Sequence, residues 1–268
     1  MAGWLISCGR RSVPAQPVAG ARMSHYPSEY LDTVSALLQR VRDEQLPLLD
    51  AAAGRIADCI IAGGIWHVFG SGHSQLLAAE LFYRAGGLVP VNAILDLPLS
   101  VMVNARRSTW LERMPGYAEQ VLQDEPVQAG DVVLVISNSG RNAVPIEVAL
   151  AAEARGATVL ALTSVQFSRH VSSRHPSGKK LLDCAELVLD NYGVDGDAAV
   201  RIPGCPSAVS ATSTVVGSAL LQALATATVA ELQRRGHTAP VWQSANSDGG
   251  ERSNAAHIAR YQARIKRL

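Results

Sequence analysis

Two short stretches of the chain concentrate hydroxyls, amides and glycines. The first, "FGSGHSQ", supplies Gly70, Ser71, Gly72, His73 and Ser74. The second, "ISNSGRN", supplies Ser137, Asn138, Ser139, Gly140, Arg141 and Asn142. Glycines let a backbone approach a ligand closely and tolerate positive φ. Free N–H groups at a helix start attract an anion, and serine hydroxyls donate to it without adding charge. The pair therefore suits a phosphate group. Neither stretch carries the lysine of a nucleotide-binding phosphate loop, and "GSGHSQ" lacks the third glycine of the dinucleotide fingerprint. Taken singly, each turn reads equally well as a helix cap, because Ser and Asn are favoured there. Two such turns after separate strands favour a ligand.

Both turns need a strand before them and a helix after them. "IWHVF" (Ile65 to Phe69) and "DVVLVIS" (Asp131 to Ser137) are short apolar runs of the kind found in buried parallel strands. "QLLAAELFYRAG" and "NAVPIEVALAAEARG" are the helical patterns that follow, closed by Gly86-Gly87 and Gly156. Further strands are expected at Leu88–Ile94, Ala157–Ser164 and Ala185–Asn191. Helical patterns are expected at 28–46, with Pro47 as a break, and from Leu48 to Ala62. Others run from Tyr117 to Gln123, Ser213 to Arg235 and Arg252 to Lys266. Residues 95–116 read as irregular, and 165–184 as a polar stretch ahead of the fifth strand. Alternating strands and helices predict an α/β fold with a five-stranded parallel sheet. Ligands of such sheets bind beyond the carboxyl ends of strands where strand order reverses. In an order 2-1-3-4-5, strands one and three flank that reversal, and they carry the two turns.

Composition narrows the partners. Of 268 residues, 48% are hydrophobic and 18% charged, with a net charge of +1. That is enough apolar material for a sizeable core, and it offers no electrostatic case for nucleic acid or an anionic membrane. No segment reads as long and apolar enough to span a bilayer. Cys8, Cys59, Cys184 and Cys205 form no C-x-x-C pair, so Cys59 and Cys184 read as buried free thiols in a cytoplasmic protein. The seven histidines show no H-x-x-x-H pairing, so no metal and no cofactor is expected. Residues 1–22 read as a disordered extension ahead of a single domain at 23–268, with Met23 a candidate start.

The two turns, followed by "GATVLALTS", resemble the sugar isomerase (SIS) phosphosugar-binding domain over about residues 45–195. "FYRAGGLVPVNAIL", "STWLERMPGYAE", "SRHPSGKKL", "TSTVVGSALLQAL" and "SANSDGG" extend the resemblance from about Met23 to the C-terminus. They point to a stand-alone subgroup of SIS proteins linked to dehydration of N-acetylglucosamine 6-phosphate. The resemblance implies a three-layer, flavodoxin-like sandwich with added N- and C-terminal helices, and a homodimer or homotetramer. It also implies phosphate ligation by Ser74, Ser137, Ser139 and Asn142. The last of these positions is usually Ser or Thr elsewhere in the family. Phosphoheptose isomerases and muramic acid 6-phosphate etherases resemble each other in placing a glutamate ten residues after the first-loop serine. Here that position is Arg84. Glu80, one helical turn earlier, either takes the carboxylate role, with Arg84 pairing it or binding substrate, or forms a surface pair with Arg84.

Isomerisation and elimination both begin when a base removes the proton next to the carbonyl of the opened sugar. An acid then assists ring opening or the departing hydroxyl. Candidates are Glu80, Glu112 in "STWLERMPGY", Asp96 just past the second strand and His175 in "SSRHPSGKKL". Asp96 reads equally as a turn cap, and Glu112 has Arg113 or Arg107 as alternative ion-pair partners. His73 and Ser71 lie within the first loop and reach toward substrate oxygens, as does Asn138 in the second. His67, mid-strand, reads as a packed core histidine. "TSTVVGSALLQALATATVAELQ" reads as a core or interface helix, and "SANSDGG" as a cap to the terminal helix. A Ser-His-Asp hydrolase is disfavoured, because no glycine follows Ser74 at the nucleophile-elbow spacing. Three functions remain: dehydration of an amino-sugar 6-phosphate, phosphosugar isomerisation, and a non-catalytic sugar-phosphate sensor. The last usually carries a preceding DNA-binding module, for which the N-terminal region is too short and insufficiently basic.

Overall fold

The computed structural model describes residues 25–244 and 246–268, so the expected extension at 1–22 lies outside the described residues. Five strands form one parallel sheet: β1 (Trp66–Gly70), β2 (Val91–Ile94), β3 (Val132–Ile136), β4 (Thr158–Thr163) and β5 (Leu187–Asp190), in the order β2-β1-β3-β4-β5. The helices are α1 (His25–Glu44), α2 (Leu46–Ile61), α3 (Ser74–Leu81), α4 (Val101–Leu111), α5 (Tyr117–Leu122), α6 (Ala143–Ala154), α7 (Val165–His170), α8 (Ser213–Arg234) and α9 (Gly250–Tyr261).

Strand periodicity explains the layers, because successive side chains point to opposite faces. Trp66, Val68, Val132, Leu134 and Ile136 face one core with α2, α3 and α8. Phe69, Val133, Val135, Val159 and Ala161 face the other core with α5 and α6. This is the expected three-layer α/β sandwich. In α8, Leu220, Leu221 and Leu224 are fully buried, and Gly217 lets Leu77 of α3 come close, where a Cβ would lie 2.8 Å from the leucine methyl.

Three expectations need correction, and one stretch without an assigned element forms a helix. Residues 95–116 are not irregular. A 3-10 turn at Leu97–Leu99 leads into α4, which Ser100 starts by accepting from the Met102 N–H (3.2 Å). At Asn104 the backbone is extended, and its side chain caps a second short segment through the Arg107 N–H (3.0 Å). Two capped pieces joined at a kink leave no continuous helical period. The polar stretch after β4 also opens with a helix, α7, capped by Ser164. The helix after β1 ends at Leu81, short of the expected Gly86. Tyr83 turns to positive φ (46°), and Gly86 and Gly87 exchange backbone hydrogen bonds with Trp242. Finally, α8 is long and apolar enough to cross a membrane. Here its apolar side chains pack on α2, α3 and α1.

His67 is the packed core histidine expected. Its Nε2 donates to Asp131 (3.1 Å), while Asn92 Nδ2 donates to its Nδ1 (3.0 Å) and to Glu125 (2.9 Å). Asp131 also accepts from the Ile65 and Gln128 N–H groups and from Arg264. Burial pushes the Asp131 carboxyl up, but the hydrogen bonds from His67, Ile65 and Gln128 outweigh it and hold it below the usual aspartate range. Arg267 joins the cluster through Glu125 (3.0 Å) and the Ala93 carbonyl. Arg264 is thereby fastened at the amino end of β3, and Arg267 reaches the carboxyl end of β2 through the Ala93 and Leu95 carbonyls. Cys59 and Cys184 are buried and free, and burial pushes the Cys59 thiol up to about 12.

Asp131→Ala leaves His67 and the Ile65 N–H without a buried partner, so it should cost roughly 3–5 kcal/mol in urea unfolding. Because folding lowers the Asp131 pKa, its stabilisation is present above the ordinary aspartate range and is lost as pH falls through the folded value. Asp131→Asn should flatten that acid limb. An unchanged acid limb would show that the cluster is not what acid disrupts.

Candidate active site

The register of the sheet positions the two turns. Gly70 of β1 pairs with Ile136 of β3, so Ser71 and Ser137 leave the sheet as neighbours. Gly70 must be glycine, because a Cβ there would overlap the Ser74 carbonyl. Gly140 turns at φ 60°, and a Cβ would press on the Ser168 hydroxyl at 3.0 Å. The second turn is further held from inside. Ser137 Oγ accepts from the Gly140 N–H (3.3 Å), and Asn138 Oδ1 accepts from Asn191 (2.9 Å).

Between the turns lies a cavity of about 340 Å³. Ser71, His73, Ser74, Ser137, Asn138, Ser139, Asn142 and Glu112 line it, all of them expected from the sequence. Glu112 follows α4 directly. Its backbone carbonyl accepts from the Val144 N–H at the start of α6 (3.1 Å). Its carboxylate accepts from Ser71 Oγ (3.0 Å) and from Asn142 Nδ2 (2.9 Å), one donor from each turn. Burial pushes the Glu112 pKa above the usual range, while the Ser71 hydroxyl and the charges of Arg113 and Arg174 pull it back. A half-buried carboxyl with a raised pKa, set at a cavity between two ligand-type turns, is suited to accept and return a proton.

The remaining candidates lie elsewhere. Glu80 pairs with Arg84 and accepts from Gln222 of α8 (3.2 Å). Arg84 lines a separate cavity of about 170 Å³ with Tyr83, Trp242 and Asn254. Asp96 caps the 3-10 turn through the Leu99 N–H (3.0 Å) and accepts from Tyr117 (3.3 Å). His175 pairs with Glu147 of α6 (3.5 Å) and contacts Ser177. None of these four lines the cavity between the turns.

Ser108, Thr109, Phe167, Asp197 and Ser213 also line the cavity and were not legible beforehand. Asp197 accepts from the Thr212 and Ser213 N–H groups (3.1 and 2.9 Å) and from the Ser213 hydroxyl, capping α8 at the cavity wall. "DGDAAV" is an acidic turn far along the chain from either serine loop, so only the "TSTVVG" motif hinted at this side of the site.

A family model described as "SIS domain" matches residues 29–164. The UPF0309 protein of Halalkalibacterium halodurans is 42% identical over 241 residues, covering 90% of this chain and 96% of that one. A UPF0309 protein of Streptomyces griseus is 41% identical over 240 residues, covering 88% and 95%. Among solved structures, phosphoheptose isomerase GmhA from Neisseria gonorrhoeae superposes with a TM-score of 0.52 at 19% identity. That match covers 77% of this chain and 99% of that one. At this identity the likeness establishes the fold.

Folding raises the Glu112 pKa, so the folded chain keeps this proton to a higher pH than the unfolded chain. Stability through this group therefore falls as pH rises from the ordinary glutamate range through the folded value. Glu112→Gln should remove that decline in urea unfolding across a pH series. Gly70→Ala should displace the Ser74 backbone and lower stability by about 1–3 kcal/mol, and a variant as stable as the wild type would contradict the close approach. The matching SIS domain and the full-length relatives together make the chain a member of the UPF0309 family of SIS-domain proteins.

Proposed function

We propose that the chain is an enzyme acting on an amino-sugar 6-phosphate. The two serine turns bind the phosphate, and Glu112 moves the proton next to the sugar carbonyl. The observation that carries this reading is the Glu112 carboxyl, held by Ser71 of one turn and Asn142 of the other. A carboxyl of raised pKa beside two phosphate-type turns is costly to bury and has no need to be there for phosphate binding alone. That counts against a pure sensor.

The favoured reaction is elimination of water from N-acetylglucosamine 6-phosphate, supported by the resemblance to SIS proteins linked to that substrate. Glu112 takes the C2 proton of the opened sugar, a C2–C3 double bond forms, and the C3–O bond breaks. The proton returns to the departing oxygen, which leaves as water. A second reading, aldose–ketose isomerisation of a sugar phosphate with a hydroxyl at C2, shares the first step; the proton taken from C2 returns to C1, and the O2 hydroxyl proton passes to O1 as C2 becomes the carbonyl. It is supported by the fold likeness to phosphoheptose isomerase. Asp197 is occupied by four donors at the start of α8, leaving Glu112 as the carboxyl to carry a proton there. The proposal includes a homodimer or homotetramer. Met102, Val103 and Trp110 of α4 stand exposed beside the cavity, apolar surface that a second copy would cover.

Incubation with a panel of sugar phosphates, read by mass spectrometry, separates the readings. Loss of water from a hexosamine phosphate selects dehydration, and mass-neutral conversion selects isomerisation. Tight binding without conversion selects the sensor. Ser139→Ala should weaken binding about tenfold, equivalent to ~1.4 kcal/mol for one lost hydrogen bond. Calorimetric titration with N-acetylglucosamine 6-phosphate measures this, and unchanged affinity sinks the phosphate assignment. Glu112→Gln should keep affinity and lose about 10²- to 10⁴-fold in kcat. Sedimentation velocity tests the assembly, and a monomer rejects that part.

A further inference from the structure

We infer that Arg174 is a positioning residue that sets the direction of the Asn142 amide and, through it, the protonation of Glu112. This rests on Glu112 being the proton carrier of the proposed reaction. Arg174 lies in the stretch after α7, outside both serine turns and outside the cavity lining. Its Nη1 donates to Asn142 Oδ1 (2.9 Å), and its backbone N–H donates to the Arg141 carbonyl (2.8 Å). On the other side of the same amide, Asn142 Nδ2 donates to Glu112 Oε1 (2.9 Å).

The directionality follows from the donor inventory. An asparagine amide is symmetrical in shape, and either its oxygen or its NH₂ can face a neighbour. A guanidinium has five N–H donors and no acceptor. Arg174 therefore holds the amide oxygen toward itself, and the NH₂ is left pointing at Glu112. An NH₂ donor favours the ionised carboxylate, which is the form able to take a proton. Without Arg174 the amide is free to turn, and its oxygen can then accept from a protonated Glu112. The flip would stabilise the acid form and weaken the base. The charged groups facing Glu112 are Arg113, next in the chain, and Arg174. Asp197 and His73 share the cavity, and Ser71 donates to the other carboxylate oxygen.

The test follows the Glu112 carboxyl by carbon-13 NMR across pH, with Glu112→Gln identifying its resonance. Steady-state kinetics with N-acetylglucosamine 6-phosphate run in parallel. Arg174→Met should move the Glu112 titration, and the acidic limb of the rate profile, to higher pH. It should lower kcat about tenfold, the loss of one charge-assisted hydrogen bond, with KM held within about twofold. A double-mutant cycle separates the relay from the bare charge. If Arg174 acts through the amide, adding Arg174→Met to Asn142→Ala should move the titration little further. A full additional shift overturns the relay. So does a Glu112 titration that stays put in folded Arg174→Met, whatever happens to its melting temperature. A raised KM with kcat intact would make Arg174 a substrate contact, and that also overturns the inference. The NMR readout needs no substrate. A moved titration in a chain that converts no sugar phosphate upholds the positioning of Glu112 and rejects the proposed reaction.

Discussion

The parallel pairing of β1 with β3 is the constraint on which the site depends. These strands are neighbours in space although β2 lies between them in the chain. After β1 the chain passes to the face carrying α2 and α8, and after β3 it passes to the face carrying α5 and α6. Strand order reverses here, and the two connections diverge. The gap they leave at the carboxyl ends of the strands is where an open α/β sheet holds its ligands. All five residues of each strand are buried, so the turns hang from a part of the molecule with little freedom to shift.

Two carboxylates show what different surroundings do to one functional group. Asp131, at the amino end of β3, receives two backbone N–H groups, a histidine and an arginine, and its pKa is held down. Glu112, at the opposite rim, is also desolvated but accepts from only one hydroxyl and one amide, and its pKa is pushed up. The first is a closed structural cluster. The second has fewer donors to offset its burial, so it keeps its proton to a higher pH than an exposed glutamate.

Much of the frame was legible in the chain. Short apolar runs bounded by glycine marked the strands, and the positions of the two serine turns after the first and third of them implied the facing pair. His67 was legible as core because it sits in mid-strand. The misses have physical causes. The helix α4 is two capped fragments with exposed Met102, Val103 and Trp110, so its apolar residues do not follow a buried stripe. The end of α3 depends on Trp242, more than 150 residues away in sequence, whose backbone draws Gly86 and Gly87 out of the helix. Asp197 enters the cavity wall because it caps α8, a contact between segments that share no local pattern.

By itself the sequence determined the sheet, the two turns, their fitness for a phosphate and the family. These depend on local periodicity, on glycine geometry and on motifs that each lie within one stretch of chain. Only the tertiary structure decided which carboxylate stands at the turns. Glu80, Asp96 and Glu112 look alike as letters. Each is placed by partners from other segments: Glu80 by Arg84 and Gln222, Asp96 by Leu99 and Tyr117, and Glu112 by Ser71 and Asn142. A side chain's role as proton carrier depends on its burial and its donors, and both are properties of the folded packing.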